Sequence, residues 1–276
     1  MPSLEDRARG ALLGALVADA LALSTHYEYD AVKIKSYYGV IDRYYAPGEK
    51  TGGQTHGIGW GGRNFHDGNG RAGGAKRAGE NTDYGDYTLL VAEHLAASAS
   101  ESSAPSPPPR FSVGAFLPRW FEAMRGWRSW VCTMTKTTIQ QVQQGAGVDR
   151  LGGNSNAMSF RAAAGVAYFE SEDDCAHLGV ASMFTHREST ALQGGEFFAR
   201  VAHRVAHQNL EPRAAIEAVA RESGSPFVQS KVRQALAKVD EATDPSKALS
   251  QEEFADDLAL TSMARLWDVG KSRSVQ

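Results

Sequence analysis

The sequence has little cysteine, no excess of positive charge, no long apolar run and almost no strand-like alternation. Its two cysteines, Cys132 and Cys175, lack the CxxC spacing of a zinc or redox motif. They cannot staple a disulfide scaffold of this length and read as reduced, buried thiols. The formal net charge is −3, and the densest basic cluster is the Lys76, Arg77 pair with Arg71. That is too thin for a track along a phosphate backbone, so nucleic acid is not an expected partner. No uninterrupted run of about 18 apolar residues occurs, which argues against a membrane-spanning helix and a membrane partner. The early acids Glu5 and Asp6 argue against a signal or transit peptide. These absences point weakly to a cytoplasmic location.

What is abundant is helical periodicity. With 276 residues, 42% of them hydrophobic, the chain can bury a sizeable core. Leu12, Leu13, Leu16, Val17 and Leu21 line one face of a helix over Leu4–Leu23. A second helix follows Asn81, with Leu89, Leu90, Ala92, Leu95 and Ala96. A third spans Phe111–Val131, with Phe116, Trp120, Phe121, Met124 and Trp127. Further helices are expected near 157–169, 174–183, 190–207, 212–222, 227–239 and 251–269. Alternating Val, Ile and Thr runs do not recur, so the expected fold is all-α, a single domain built as a bundle of many antiparallel helices. Three stretches interrupt it: a Gly-rich loop over 51–80, a Ser/Pro-rich linker over 98–110 and a Gly/Asn loop over 145–156.

The stretch Gly79-Glu80-Asn81-Thr82-Asp83-Tyr84-Gly85-Asp86-Tyr87 closes the Gly-rich loop and opens a helix. Asn81 or Thr82 can cap that helix, with acids in its first turn where the helix dipole favours them. Asp83 and Asp86, three apart, also emerge on one side of the turn beside the Thr82 hydroxyl, a hard oxygen cluster suited to Mg²⁺. Both readings stand, and the residues by themselves favour capping. Asp19 lies on an otherwise apolar helix, so it needs a partner or a polar cavity. His26 follows in Thr25-His26-Tyr27-Glu28, where a surface histidine is the plain reading. In the Gly-rich loop, Arg63 suits a pyrophosphate, and Trp60 or Phe65 suits an adenine face. Neither a Walker A sequence nor a GxGxxG after a strand is present.

Several segments together resemble the ADP-ribosylglycohydrolase family, especially its branch of J-type lens crystallins. Arg9-Gly10-Ala11-Leu12-Leu13-Gly14 through Ala22 is similar to the family's opening helix, with Ala18 where glycine precedes the aspartate. Thr82 and Asp83 match the start of the family's TDDT metal motif; Tyr84 stands where typical members have the next aspartate, and Asp86 is the candidate substitute. Gly153-Asn154-Ser155-Asn156 through Arg161-Ala162-Ala163 resembles the Asn-rich loop and helix that line the family's ADP-ribose cleft, and Thr185-His186 the family's TH turn. The likeness runs from about Arg7 to Lys271.

The resemblance implies a fold of the ADP-ribosylglycohydrolase type without its last helices, because no Gly-Asp-rich ligand motif follows Lys271. It implies Mg²⁺ as cofactor and ADP-ribose, or a molecule carrying it, as partner. The implied ligands are Thr82, Asp83 and Asp86, with Asp83 and Asp86 as catalytic carboxylates. His26, Arg63, Asn154, Ser155, Asn156 and His186 are the implied substrate contacts. Two functions follow: hydrolysis of ADP-ribose glycosidic linkages, or a binding or structural protein in which the chemistry is weakened or lost. An apolar face at Leu258, Leu260, Met263, Leu266 and Trp267, left partly uncovered, leads to an expectation of self-association.

Overall fold

The computed structural model describes residues 2–26, 31–51, 76–101, 110–128, 130–153 and 159–242. Among them the regular structure is helical, and the one bridge of strand type pairs Gly153 with His186. Helix α1 (Leu4–Ala22) starts at Ser3, whose hydroxyl accepts the Asp6 N–H while the Asp6 carboxylate accepts the Ser3 N–H, a reciprocal cap. Helix α2 (Ala31–Tyr38) ends where Tyr38 packs edge-to-face on Tyr45 at 5.2 Å. Helices α3 (Asp83–Glu101), α4 (Val113–Arg125) and α5 (Thr133–Gln143) follow, and after them the short α6 (Ala163–Tyr168). The last four are α7 (Glu172–Ala181), α8 (Ser189–Gln208), α9 (Pro212–Glu222) and α10 (Pro226–Ala242).

The core gathers Tyr87, Val91 and Leu95 of α3, Phe116 and Trp120 of α4, Val166 of α6, Leu178 of α7 and Phe184 beyond it. Trp120 and Phe184 meet edge-to-face at 5.2 Å, the geometry favoured by opposed ring quadrupoles. Helices α7 and α8 approach closely because both are glycine at the crossing. A Cβ on Gly179 would fall 2.8 Å from the Gly195 carbonyl oxygen, and one on Gly195 would fall 2.9 Å from that of Gly179. Helix α1 lies on α6, α8 and α3, burying Ala8 and Ala20, while Leu13 and Val17 face outward at 52% and 47% exposure.

Four expectations change. Helices α2 and α5 were not legible as helices. The helix expected over 111–131 stops at Arg125, where Gly126 caps it, and the chain re-enters a helix after Cys132. The linker expected from Ser98 begins later, because Ser98 and Ser100 close the last turns of α3 through hydroxyl bonds to the His94 and Ala96 carbonyls. Leu4–Thr25 is long and apolar enough by composition to cross a bilayer, with mean hydropathy 1.3; its neighbours here are the other helices. The expected helix over 251–269, with Leu258, Leu260, Met263, Leu266 and Trp267, lies outside the described residues.

Candidate active site

The start of α3 is held by α1. The Asp19 carboxylate accepts the Thr82 N–H (2.8 Å), the Thr82 hydroxyl (2.6 Å) and the Asn81 side-chain amide (3.1 Å). Asn81 also donates to the Leu16 carbonyl at 2.7 Å. This is the partner that an aspartate on an apolar helix requires. Thr82 Oγ1 in turn accepts the Tyr84 N–H at 3.0 Å, capping α3 in the manner expected of a threonine there. Gly85 makes room for the bracket: a Cβ on it would lie 2.3 Å from Asp19 Oδ2 and 2.7 Å from Asn81.

With the turn fixed, its two aspartates part company. Asp83 points inward and is fully buried. His26 Nε2 stands 3.1 Å from Asp83 Oδ1, out of line for a hydrogen bond, and among the described residues neither oxygen of Asp83 receives one. Tyr84 meets the His26 ring edge-on at 5.1 Å. Asp86 is one-fifth exposed and pairs at 2.5 Å with the ammonium of Lys76, itself nearly buried at the end of the Gly-rich loop.

Tyr87, one turn beyond Asp83, continues the same face. Its hydroxyl donates to Thr135 Oγ1 at 3.1 Å, and burial pushes its phenol well above the usual range. The Arg161 guanidinium sits 4.4 Å over the Tyr87 ring and is wholly buried, which pulls it below its ordinary value. It donates to the Ser182 carbonyl (2.6 Å) and to Thr185 Oγ1 (3.2 Å). His186 lies behind, also buried, with Nδ1 2.7 Å from Thr185 Oγ1 and Nε2 3.3 Å from Cys132 Sγ. Burial, helped by the Arg161 charge, holds the imidazole down to about 3, so it is neutral at ordinary pH.

Of the sequence-derived site residues, the structure brings Thr82, Asp83, Asp86 and His26 to one end of α3. Thr82 and Asp86 are engaged with Asp19 and Lys76, and among the described residues no group of three or more His, Cys, Asp or Glu side chains is placed to share a metal ion. His186 is directed at Cys132 and Thr185 rather than at open space. Arg63, Asn154, Ser155 and Asn156 lie outside the described residues. The approach to the Asn-rich loop is nevertheless fixed: Gly153 N–H donates to the Thr185 carbonyl and Arg187 N–H to that of Gly153. Gly152 holds a φ of +88°, and a Cβ there would strike the Phe184 carbonyl oxygen at 2.3 Å.

Sequence reasoning missed Lys76 and Gly85 as parts of this cluster, took Asn81 only as a possible cap, and had Arg161 only within the segment that resembles the cleft-lining helix. Arg161 carried a usable signal, a lone cation in the small-residue run Arg161-Ala162-Ala163-Ala164-Gly165. A separate cavity of about 440 Å³ lies between α8, α9 and the start of α10. It shares no residue with the Asp83 cluster, and the Arg200 and Arg204 heads on its wall are matched by Glu172, Glu196 and Glu222.

The family model described as ADP-ribosylglycohydrolase matches residues 1–271. No curated protein matches the chain.

Proposed function

Since the chain belongs to the ADP-ribosylglycohydrolase family, a family of hydrolases of ADP-ribose linkages, we propose that it cleaves the glycosidic bond of an ADP-ribosylated molecule at the start of α3, with Asp83 as the essential carboxylate. One observation carries this reading. A fully buried aspartate whose oxygens accept no hydrogen bond among the described residues is costly unless a cation or a substrate completes it. His26 Nε2 lies 3.1 Å from Asp83 Oδ1, and Asp19 holds the turn that aims Asp83 inward.

Mg²⁺ fits this donor set in part. Asp83 would hold the ion, whereas Thr82 Oγ1 is already committed to Asp19 and the Tyr84 N–H; when bound, the ion would polarise sugar hydroxyls and a water. Asp86 fits less well than its spacing implied, because the Lys76 ammonium occupies the place a second cation needs. Asp86 in this reading anchors Lys76 at the rim of the site. Arg63, Asn154, Ser155 and Asn156 keep their expected roles as contacts to the nucleotide. The two free thiols suit a reducing cytoplasm.

A second reading, a scaffold whose chemistry is weakened, draws support from Tyr84. Its ring lies against His26 where the family motif has an aspartate. The two readings separate in one assay: free ADP-ribose is followed from an ADP-ribosylated protein with Mg²⁺ and with chelator. Release that chelator abolishes supports the hydrolase, and no release from a chain with a normal helical circular-dichroism spectrum supports the scaffold.

A further inference from the structure

We propose that Arg161 is a positioning residue for the nucleotide: its guanidinium is the joint that sets the root of the Asn-rich loop, at Gly153, against the Asp83 turn of α3. The inference rests on the ADP-ribose reading of that site. Arg161 is buried among small side chains at the start of α6. A buried guanidinium is a costly way to hold a core together, because an apolar side chain of similar volume is often as stabilising or more so. What an arginine adds is a planar fork that can stack on one element and donate to another at the same time. Arg161 does both. Its guanidinium carbon lies 4.4 Å from the centre of the Tyr87 ring on α3. Its Nη1 donates to the Ser182 carbonyl at 2.6 Å, and both Nη atoms reach Thr185 Oγ1, at 3.2 and 3.3 Å.

Each side of the joint is itself fixed. Tyr87 follows Asp83 by one helical turn, so the two share a face of α3. The Tyr87 hydroxyl is tied to Thr135 Oγ1 at 3.1 Å, and its ring packs on Trp127 at 4.7 Å. On the far side, the Thr185 carbonyl accepts the Gly153 N–H at 3.3 Å, and the Gly153 carbonyl accepts the Arg187 N–H at 2.8 Å. The Gln141 amide brackets Gly152, accepting its N–H at 2.8 Å and donating to its carbonyl at 3.3 Å. The separation of the Asp83 carboxylate from the start of the Asn-rich loop is therefore set through Arg161. A shift there moves two parts of one site relative to each other and leaves each intact. Lysine at this position keeps the charge but loses the plane and the fork. Valine at position 185 keeps the volume but loses the acceptor that the fork reaches.

The test titrates the full chain with ADP-ribose by calorimetry, in the wild type, Arg161→Lys, Thr185→Val and the double variant, each checked for helix content by circular dichroism. Each single substitution is expected to weaken ADP-ribose binding about 10-fold, the scale of re-ordering a misplaced loop. Because both act through one joint, the double variant is expected to lose no more than the worse single one. Where substrate is turned over, the loss falls on KM and leaves kcat near the wild-type value. Wild-type affinity in Arg161→Lys, additive losses in the double variant, a loss in kcat at unchanged KM, or no binding of ADP-ribose to the wild type overturns the proposal. If Arg161→Lys does not fold, Thr185→Val decides alone, and undiminished affinity there overturns it. A wild type that binds ADP-ribose but releases none defeats the hydrolase reading and leaves the joint standing; unchanged affinity in the variants of an active protein does the reverse.

Discussion

Replacing Gly85 by alanine reverses the usual sign of a helix-interior Gly→Ala change. In an exposed helix that substitution stabilises by about 1 kcal/mol, because glycine loses more backbone freedom on folding. At Gly85 the new Cβ would lie 2.3 Å from Asp19 Oδ2 and 2.7 Å from Asn81 Cβ and Nδ2, closer than real atoms sit. Asp19 must then swing away, loosening three bonds that its carboxylate accepts from Asn81 and Thr82. Hydrogen bonds to charged groups contribute about 1.5–3 kcal/mol each, and partial rearrangement recovers some of that. The expected net effect is a destabilisation of roughly 2–4 kcal/mol. Gly14→Ala is the control, since a Cβ there meets nothing within 4 Å. Urea unfolding followed by circular dichroism compares the two. The reasoning predicts a lower midpoint for Gly85→Ala and a raised one for Gly14→Ala. A gain in stability at both positions refutes the Asp19 bracket.

Acid should weaken the fold through His186. Its folded-state value, about 3, lies below the ordinary histidine value, so the unfolded chain binds the extra proton between the two. Stability from this group is complete above pH about 6.5 and is lost as pH falls toward 3, roughly 2 kcal/mol of it by pH 5. Unfolding free energies across that window should fall less steeply in His186→Asn than in the wild type. Gly152→Ala should cost several kcal/mol, since the added Cβ meets the Phe184 carbonyl at a positive φ; thermal melting checks it. The outward Leu13 and Val17 of α1 should promote self-association, which light scattering should detect and Val17→Glu should reduce.

Much of the fold could be read directly from the residues. Apolar residues at helical spacing announced α1, α3, α8 and α9, and Pro212 marked the first turn of α9. Helix α5 was hidden because its inward face is threonine: Thr135 and Thr138 are fully buried, and Thr138 bonds back to the Met134 carbonyl. A hydroxyl satisfied in that way behaves as core, yet it reads as polar in a periodicity count. In the site, the need of Asp19 for a partner was legible from its apolar surroundings. The identity of that partner was not, because Asn81 and Thr82 lie more than sixty positions away and only packing of α1 on α3 joins them. Spacing placed Asp83 and Asp86 on one turn but was silent on what each faces. Lys76 decides that for Asp86, and it comes from the last residues of the Gly-rich loop, ten positions earlier.

Turnover of Asp83→Asn beside the wild type is the most direct test of the hydrolase account. The substitution preserves shape and removes the charge that the buried position holds without a hydrogen bond among the described residues. With both proteins equally helical, the account predicts active wild type and at least about a 100-fold drop in ADP-ribose release for Asp83→Asn. Equal release from the two proteins would contradict it.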